Sequence, residues 1–239
     1  MRSTFLVALG VTIAVAGCGQ SLAQDGGPTV QRSYPVGQFQ HIEVAGPYDV
    51  NVRTGSAPSV SGRGPQALMD KLVVEIRGDR LYIHPEKTGN RMSWSGREKA
   101  TLNVTVPMLR GAAIAGSGDV TIDRIAGNDF DGSISGSGDL NLASLNVQTL
   151  ELSIAGSGGL TARAGQANRA AYKIAGSGDI DARGVRTGTA SLSIAGSGNI
   201  AGHASNEASV SIVGSGDVAL TGGAKCSVSK AGSGSVRCS

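Results

Sequence analysis

The sequence predicts an all-β fold, a right-handed parallel β-solenoid with coils of about 20 residues and a more irregular N-terminal cap region. Three observations carry that expectation. Gly-Ser-Gly recurs with its first glycine at Gly116, Gly136, Gly156, Gly176, Gly196, Gly214 and Gly232, at spacings of 20, 20, 20, 20, 18 and 18. The residues flanking each copy alternate apolar and polar, the period of a strand with one buried face. The same residue types recur unit upon unit, as stacked coils require.

The columns are read by aligning the copies on that first glycine. Two residues before it stand Ile114, Ile134, Ile154, Ile174, Ile194 and Ile212. Six before it stand Phe130, Leu150, Ala170, Ala190, Ala208 and Cys226, and the three alanines imply a tapered cross-section. Four after it stand Val120, Leu140, Leu160, Ile180, Ile200, Val218 and Val236. Each unit is therefore a strand, a glycine corner and a second strand. With rungs about 4.8 Å apart, seven units make a rod on the order of 35 Å long. Parallel connections favour the right-handed sense.

Composition agrees. Glycine accounts for 37 of 239 residues, and 14 of these belong to the seven corners. Only three Phe, four Tyr and one Trp are present, which suits a narrow core of Ile, Val, Leu and Ala. The formal net charge is +3, with eleven Lys/Arg against eight Asp/Glu from Gln24 to Arg110 and nine against ten thereafter. Neither half is a basic stripe, so nucleic acid is not an expected partner.

The first half reads as a degenerate continuation of the repeat plus a cap. Ile42 to Val52 aligns with the unit, with Gly46 at the corner, Pro47-Tyr48 in place of Ser-Gly, and Val50 and Val52 inward. A short helix is expected over Pro65 to Leu72, with Pro65 in its first turn. Leu72–Ile76 and Leu81–Ile83 read as strands about Gly78-Asp79, Lys87 to Lys99 as a long polar loop, and Leu102–Val106 as a strand.

The extreme N-terminus reads as an export signal over residues 1–23. Arg2 precedes an apolar run from Phe5 to Ala16, too short to span a bilayer. Val15-Ala16-Gly17-Cys18 fits a lipobox, which would make Cys18 the lipidated first residue of an outer-membrane or periplasmic lipoprotein. Ser21-Leu22-Ala23 fits an ordinary signal-peptidase site, which would give a secreted chain starting at Gln24. Residues 24–31 read as a tether and 32–239 as the folded domain, with the regular repeats over 107–239.

Export also frames the cysteines. Cys226 and Cys238 occupy two inward columns of the last unit, and in an oxidising compartment they read as one disulfide closing that coil. Lys230 stands there in the isoleucine column, where a lysine discourages edge-to-edge association.

Together these residues carry a family resemblance. A lipoprotein-like leader is followed by Phe39-Gln40-His41-Ile42-Glu43-Val44-Ala45-Gly46-Pro47-Tyr48-Asp49-Val50. Repeated Ile-Ala-Gly-Ser-Gly-Asp units come next, and the chain closes between Cys226 and Cys238. From about residue 32 to 239 this resembles the head GIN domain family, named for auto-transporter adhesins. The resemblance implies an exported bacterial β-helical protein and brings no catalytic residues with it.

Asp119, Asp139, Asp179 and Asp217 form an acidic column, interrupted by Gly159, Asn199 and Ser235. Two carboxylates one rung apart in water repel by only roughly 0.9 kcal/mol, so the column reads as turn chemistry through each residue's own side chain, ahead of a cation site. Asp129 with Asp131, or Asp179 with Asp181, could form the carboxyl pair of a glycoside-cleaving enzyme, but no long insertion is present to build a cleft. His41, His84 and His203 show no metal-ligand spacing. No catalytic residue, cofactor or metal site is therefore expected. Trp94 and Tyr48 are the candidate binding surface, because aromatic side chains are so scarce. Trp94, beside Arg91, Arg97 and Lys99, could equally plug the first coil. The leading function is a non-enzymatic cell-envelope scaffold or binding module of adhesin type, with a glycan, envelope or protein partner. A carbohydrate-active β-helix enzyme and a purely structural envelope protein are the alternatives.

Overall fold

The computed structural model describes residues 28–86 and 99–239. The export signal, Cys18, Trp94 and most of the expected polar loop lie outside the described residues. The first half contains β1 (Thr29–Tyr34), β2 (His41–Gly46), β3 (Tyr48–Thr54), β4 (Ser59–Pro65), α1 (Gln66–Met69), β5 (Leu72–Arg77), β6 (Arg80–Pro85) and β7 (Ala100–Val106). The repeats follow as β8 (Gly111–Gly116), β9 (Val120–Ile122), β10 (Ile125–Ala126), β11 (Asp129–Gly136), β12 (Leu140–Leu142), β13 (Leu145–Gly156) and β14 (Gly159–Ala162). Then come β15 (Gly165–Gly176), β16 (Asp179–Asp181), β17 (Val185–Gly196), β18 (Ile200–His203), β19 (Glu207–Gly214), β20 (Val218–Thr221), β21 (Lys225–Ala231) and β22 (Val236–Cys238).

These strands form the two long walls of a parallel β-solenoid. One wall, sheet A, runs β1-β4-β7-β3-β9-β12-β14-β16-β18-β20-β22. The other, sheet B, runs β21-β19-β17-β15-β13-β11-β8-β2-β6-β5, with β10 paired to β13. Each coil crosses from sheet B to sheet A through its glycine corner. The register is that of the sequence alignment: Ile134 lies beside Ile114 and Ile154, and Leu140 beside Val120 and Leu160. All these side chains are buried, as the alternation requires.

The corners show why the repeat demands glycine. Gly156 has φ +143°, and a Cβ on it would lie 2.2 Å from the carbonyl oxygen of Gly136. That same carbonyl accepts the N–H groups of Ser157 (2.9 Å) and Gly158 (3.2 Å). The coils thus touch backbone to backbone at each corner, and any side chain would push them apart.

In the first half the coil order departs from the chain order. The β2–β3 coil comes first in sequence, yet it lies between the β6–β7 and β8–β9 coils. The chain leaves β3, builds the cap, adds β6–β7 on the outer side, and then crosses back over β2–β3 to start β8. Gln40 marks the crossing, since its carbonyl accepts the N–H of Arg110 at 2.7 Å.

The cap itself is antiparallel. β1 pairs with β4, β4 with β7, and β5 with β6. Residues 29–31, expected in the tether, are instead part of β1, held by pairing from Thr29↔Pro65 to Tyr34↔Val60. The helix is shorter than the expected Pro65–Leu72. It covers four residues, and Leu72 already belongs to β5, where pairing with Pro85 on β6 outweighs local helical tendency. Leu68 and Met69 are the helix's own buried residues.

Candidate functional site

Tyr48, expected at the surface, is a core residue. It replaces the second corner glycine, and its neighbour on β7 is the small Ala100, which leaves room for the ring to turn inward. Only 1% of it is exposed, and burial pushes its hydroxyl pKa up to about 12. The candidate surface is corrected accordingly: this ring cannot meet a partner.

The acidic column has a defined task, different from the expected turn closure. Each carboxylate accepts the backbone N–H of the equivalent residue in the next coil. Asp49 holds Asp119 (3.1 Å), Asp119 holds Asp139 (3.0 Å), and Asp139 holds Gly159 (2.8 Å). Gly159 has no side chain, and the ladder breaks there; Asp179 N–H turns to the Gly158 carbonyl at 3.3 Å. It resumes from Asp179 to Asn199 (2.9 Å), Asn199 to Asp217 (3.1 Å) and Asp217 to Ser235 (2.7 Å). The Lys99 ammonium lies 2.9 Å from both Asp49 and Asp119. Its hydrogen bonds to Asp119 and Asp49 raise its pKa. The chain's own cation therefore stands between the first two carboxylates.

The other candidates are likewise engaged. Asp181 is paired with Arg183 (2.6 Å), whose hydrogen bonds hold the carboxyl below the usual range, and Asp129 is paired with Arg110 (2.9 Å). Asp179 belongs to the ladder. The histidines lie apart: His41 meets Asp79 at 2.9 Å, His84 meets Glu75 at 2.9 Å, and His203 faces the Thr187 N–H at 3.4 Å. Among the described residues no group of three or more His, Cys, Asp or Glu is placed to hold a metal. Cys226 and Cys238 are joined in a disulfide.

What the residue-by-residue reading missed is a groove on the outer face of sheet B, of about 630 Å³. One wall is the axial row Thr149, Arg169, Thr189, Glu207 and Lys225. The other is Glu151, Ala171, Ser191, Ser209 and Ser227. Between them lie Ala170, Ala190 and Ala208, in the inward column that holds Phe130 and Leu150 in the preceding coils. The alanines are 5%, 6% and 3% exposed, whereas Phe130 and Leu150 are 1% and 0% exposed. Small inward side chains let the wall sink over these coils, and the outside becomes concave. The ladder is also interrupted beside the groove. Gln148 and Asn168 drop out of the ladder pairing, and the Asn168 amide donates to the Gln148 side-chain oxygen.

At its N-terminal end the groove meets a smaller hollow of about 240 Å³ that shares Thr149 and Glu151. Asp131 stands there beside Glu151 in register. Burial, and then the Glu151 charge, raise the Asp131 pKa, while Arg80, His41 and Lys173 oppose the rise. These two carboxylates are 20 residues apart in sequence. The repeat period contains the signal, since aligning the positions five before each corner glycine places them side by side.

Fold and surface together define a parallel β-solenoid repeat protein with a lateral groove. The chain belongs to the family described as "Putative auto-transporter adhesin, head GIN domain", whose model matches residues 38–224. Several solved structures share the fold. One described as a putative adhesin from Bacteroides fragilis NCTC 9343 is 23% identical with a TM-score of 0.79, covering 88% of this chain and 97% of its own. One described as a putative lipid binding protein from Parabacteroides distasonis ATCC 8503 is 26% identical with a TM-score of 0.72, covering 90% and 98%. A third, described as a putative adhesin from Parabacteroides merdae ATCC 43184, is 20% identical with a TM-score of 0.69, covering 90% and 97%. No curated protein matches the chain.

Proposed function

We propose that this protein is a non-enzymatic, exported cell-envelope module of adhesin type, in which the solenoid is a rigid support and the groove on sheet B is the contact face. The observation that carries the reading is the groove itself. It crosses five successive strands, β13, β15, β17, β19 and β21, and lies apart from the acidic ladder; on its wall the Arg169 guanidinium donates to the Thr149 hydroxyl at 3.5 Å. Family membership supports the adhesin class. The engagement of Asp129, Asp179 and Asp181 in ion pairs and the ladder weighs against a carboxyl-pair enzyme built on them. The groove walls carry hydroxyls and charges around a floor of small alanines, without a large apolar side chain to grip a lipid tail.

Attachment through a lipidated Cys18 belongs to the same proposal. Mass spectrometry of the mature N-terminus tests it, and a chain starting at Gln24 overturns it. The binding role is tested by presenting the exported protein to an array of purified glycans and envelope components. Specific retention on a component is the expected result, and an array without retention leaves the purely structural alternative standing.

A further inference from the structure

We infer that the sheet B groove takes an uncharged, hydroxyl-rich polysaccharide segment lying along the solenoid axis, with about one sugar unit per coil. This deepens the proposed binding role and rests on it. Four features of the groove carry the inference.

The first is charge. Arg169 and Lys225 on one wall are offset by Glu151 and Glu207, so the groove has no net formal charge to favour a uniformly anionic or cationic polymer. The second is hydrogen-bonding chemistry. Hydroxyls of the Thr149–Thr189 row and of Ser191 and Ser209 both donate and accept, and the carboxylates and cations add strong acceptors and donors. A sugar hydroxyl, itself donor and acceptor, is the group such walls can satisfy at every rung.

The third is the state of the backbone. An extended peptide is recognised by adding to an unpaired sheet edge. The central groove strands β15, β17 and β19 are paired on both sides, so their backbone is already used in the ladder. The fourth is pitch. Strand spacing of about 4.8 Å gives the groove a length of about 19 Å over its five strands. That spacing is close to the advance of one equatorially linked pyranose, so equivalent hydroxyls on successive sugars meet equivalent rows on successive coils.

The test measures, by calorimetry on the mature protein, the binding of cellohexaose, mannohexaose and chitohexaose, with hexagalacturonate as the charged comparison. Ser191→Trp fills the groove from an exposed wall position. Glu207→Gln removes one charged acceptor without changing shape. Thr161→Trp places the same bulk on the outer face of sheet A. Thermal melts of each variant confirm that the solenoid is intact.

The expected result is that a neutral hexasaccharide binds at millimolar concentration or below. Ser191→Trp should then weaken it by about tenfold or more, Glu207→Gln by about threefold, and Thr161→Trp not at all. Binding of hexagalacturonate alone, or neutral binding that Ser191→Trp leaves unchanged, overturns the inference. If the protein retains a non-glycan envelope component and binds no hexasaccharide, the inference fails while the binding role stands. If nothing binds in either experiment, both fail.

Discussion

The two ends of this solenoid solve the same problem in opposite ways. At the N-terminal end the sheets are capped: β4 pairs antiparallel with the edge of β7 and β1 antiparallel with β4, β5 pairs antiparallel with β6, and Leu68 and Met69 of α1 fill the end of the core. At the C-terminal end nothing covers the last coil among the described residues. Val228 is 48% exposed, although Val210, its neighbour one coil earlier, is 1% exposed. Beyond the pairing of β21 with β19 and β22 with β20, the last coil is held by the Cys226–Cys238 disulfide and by the Asp217–Ser235 contact. A parallel stack always leaves an incomplete coil at its end, and this difference shows that burial or cross-linking can each supply the missing neighbour.

The comparison is tested most strongly at the covered end. Met69 is fully buried against Gly62, and Met69→Ala should cost about 2–5 kcal/mol through the cavity it leaves. Chemical denaturation should show a lower midpoint. A midpoint unchanged within error would mean that the cap contributes little and that the two ends are equivalent.

Next is the staple. A disulfide closing a loop of this size contributes about 3 kcal/mol by restricting the unfolded chain. Cys226→Ser should act locally, because the last coil has few buried neighbours to transmit the loss. Trypsin should then cleave rapidly at Lys225, Lys230 and Arg237 while the bulk melting temperature falls far less. Protease resistance equal to that of the native chain would show that hydrogen bonds alone hold the coil.

A smaller effect concerns pH. The Ser235 hydroxyl and N–H hold the Asp217 carboxyl below the ordinary aspartate range. A carboxylate with a depressed folded-state pKa contributes stability above its unfolded pKa and loses it as pH falls through the folded value. Hydrogen exchange of β22 should therefore accelerate on acidification, in the window from the ordinary aspartate range downward. Asn199 performs the same ladder task with a neutral amide oxygen. Asp217→Asn should keep the contact at neutral pH and remove the acid sensitivity, whereas Asp217→Ala should lose both. Equal acid sensitivity in native and Asp217→Asn protein would assign the effect elsewhere.

The smallest effect on stability is expected at Lys230. It occupies the isoleucine column beside Ile212, but its side chain folds back to donate to the Gly234 carbonyl at 2.7 Å. Lys230→Ile should leave the melting temperature nearly unchanged and promote end-to-end association, visible by light scattering. A variant that stays monomeric at high concentration would show that the lysine does not guard the edge.

The regular half was legible because its physics is local and repetitive. Period-2 alternation names the buried face, the constant spacing names the coil, and the corner glycines mark where backbones meet. Ile154 lies beside Ile134 and Ile174, as alignment alone predicts. The irregular half was less legible. Its strands were recognisable from Leu72 to Ile83 and from Leu102 to Val106, but nothing local states that β2–β3 inserts between two coils formed later in the chain. The helix was overestimated because Leu72 gains more from pairing with β6 than from another helical turn. Aromatic scarcity misleads at Tyr48, because its in-register neighbour on β7 is the small Ala100, which leaves the ring an interior place.

The sequence by itself determined the repeat, the inward columns, the stapled last coil and the family. These follow from patterns that any one coil displays and every later coil copies. The tertiary structure decided the order of the first coils, the direction of the aspartate ladder and the existence of the groove. Each of these depends on relations between coils: which one lies above which, which N–H faces which carboxylate, and how far a wall sinks when alanines replace leucine beneath it. Such relations are distances across the stack, and a linear pattern specifies them only once the stack has formed.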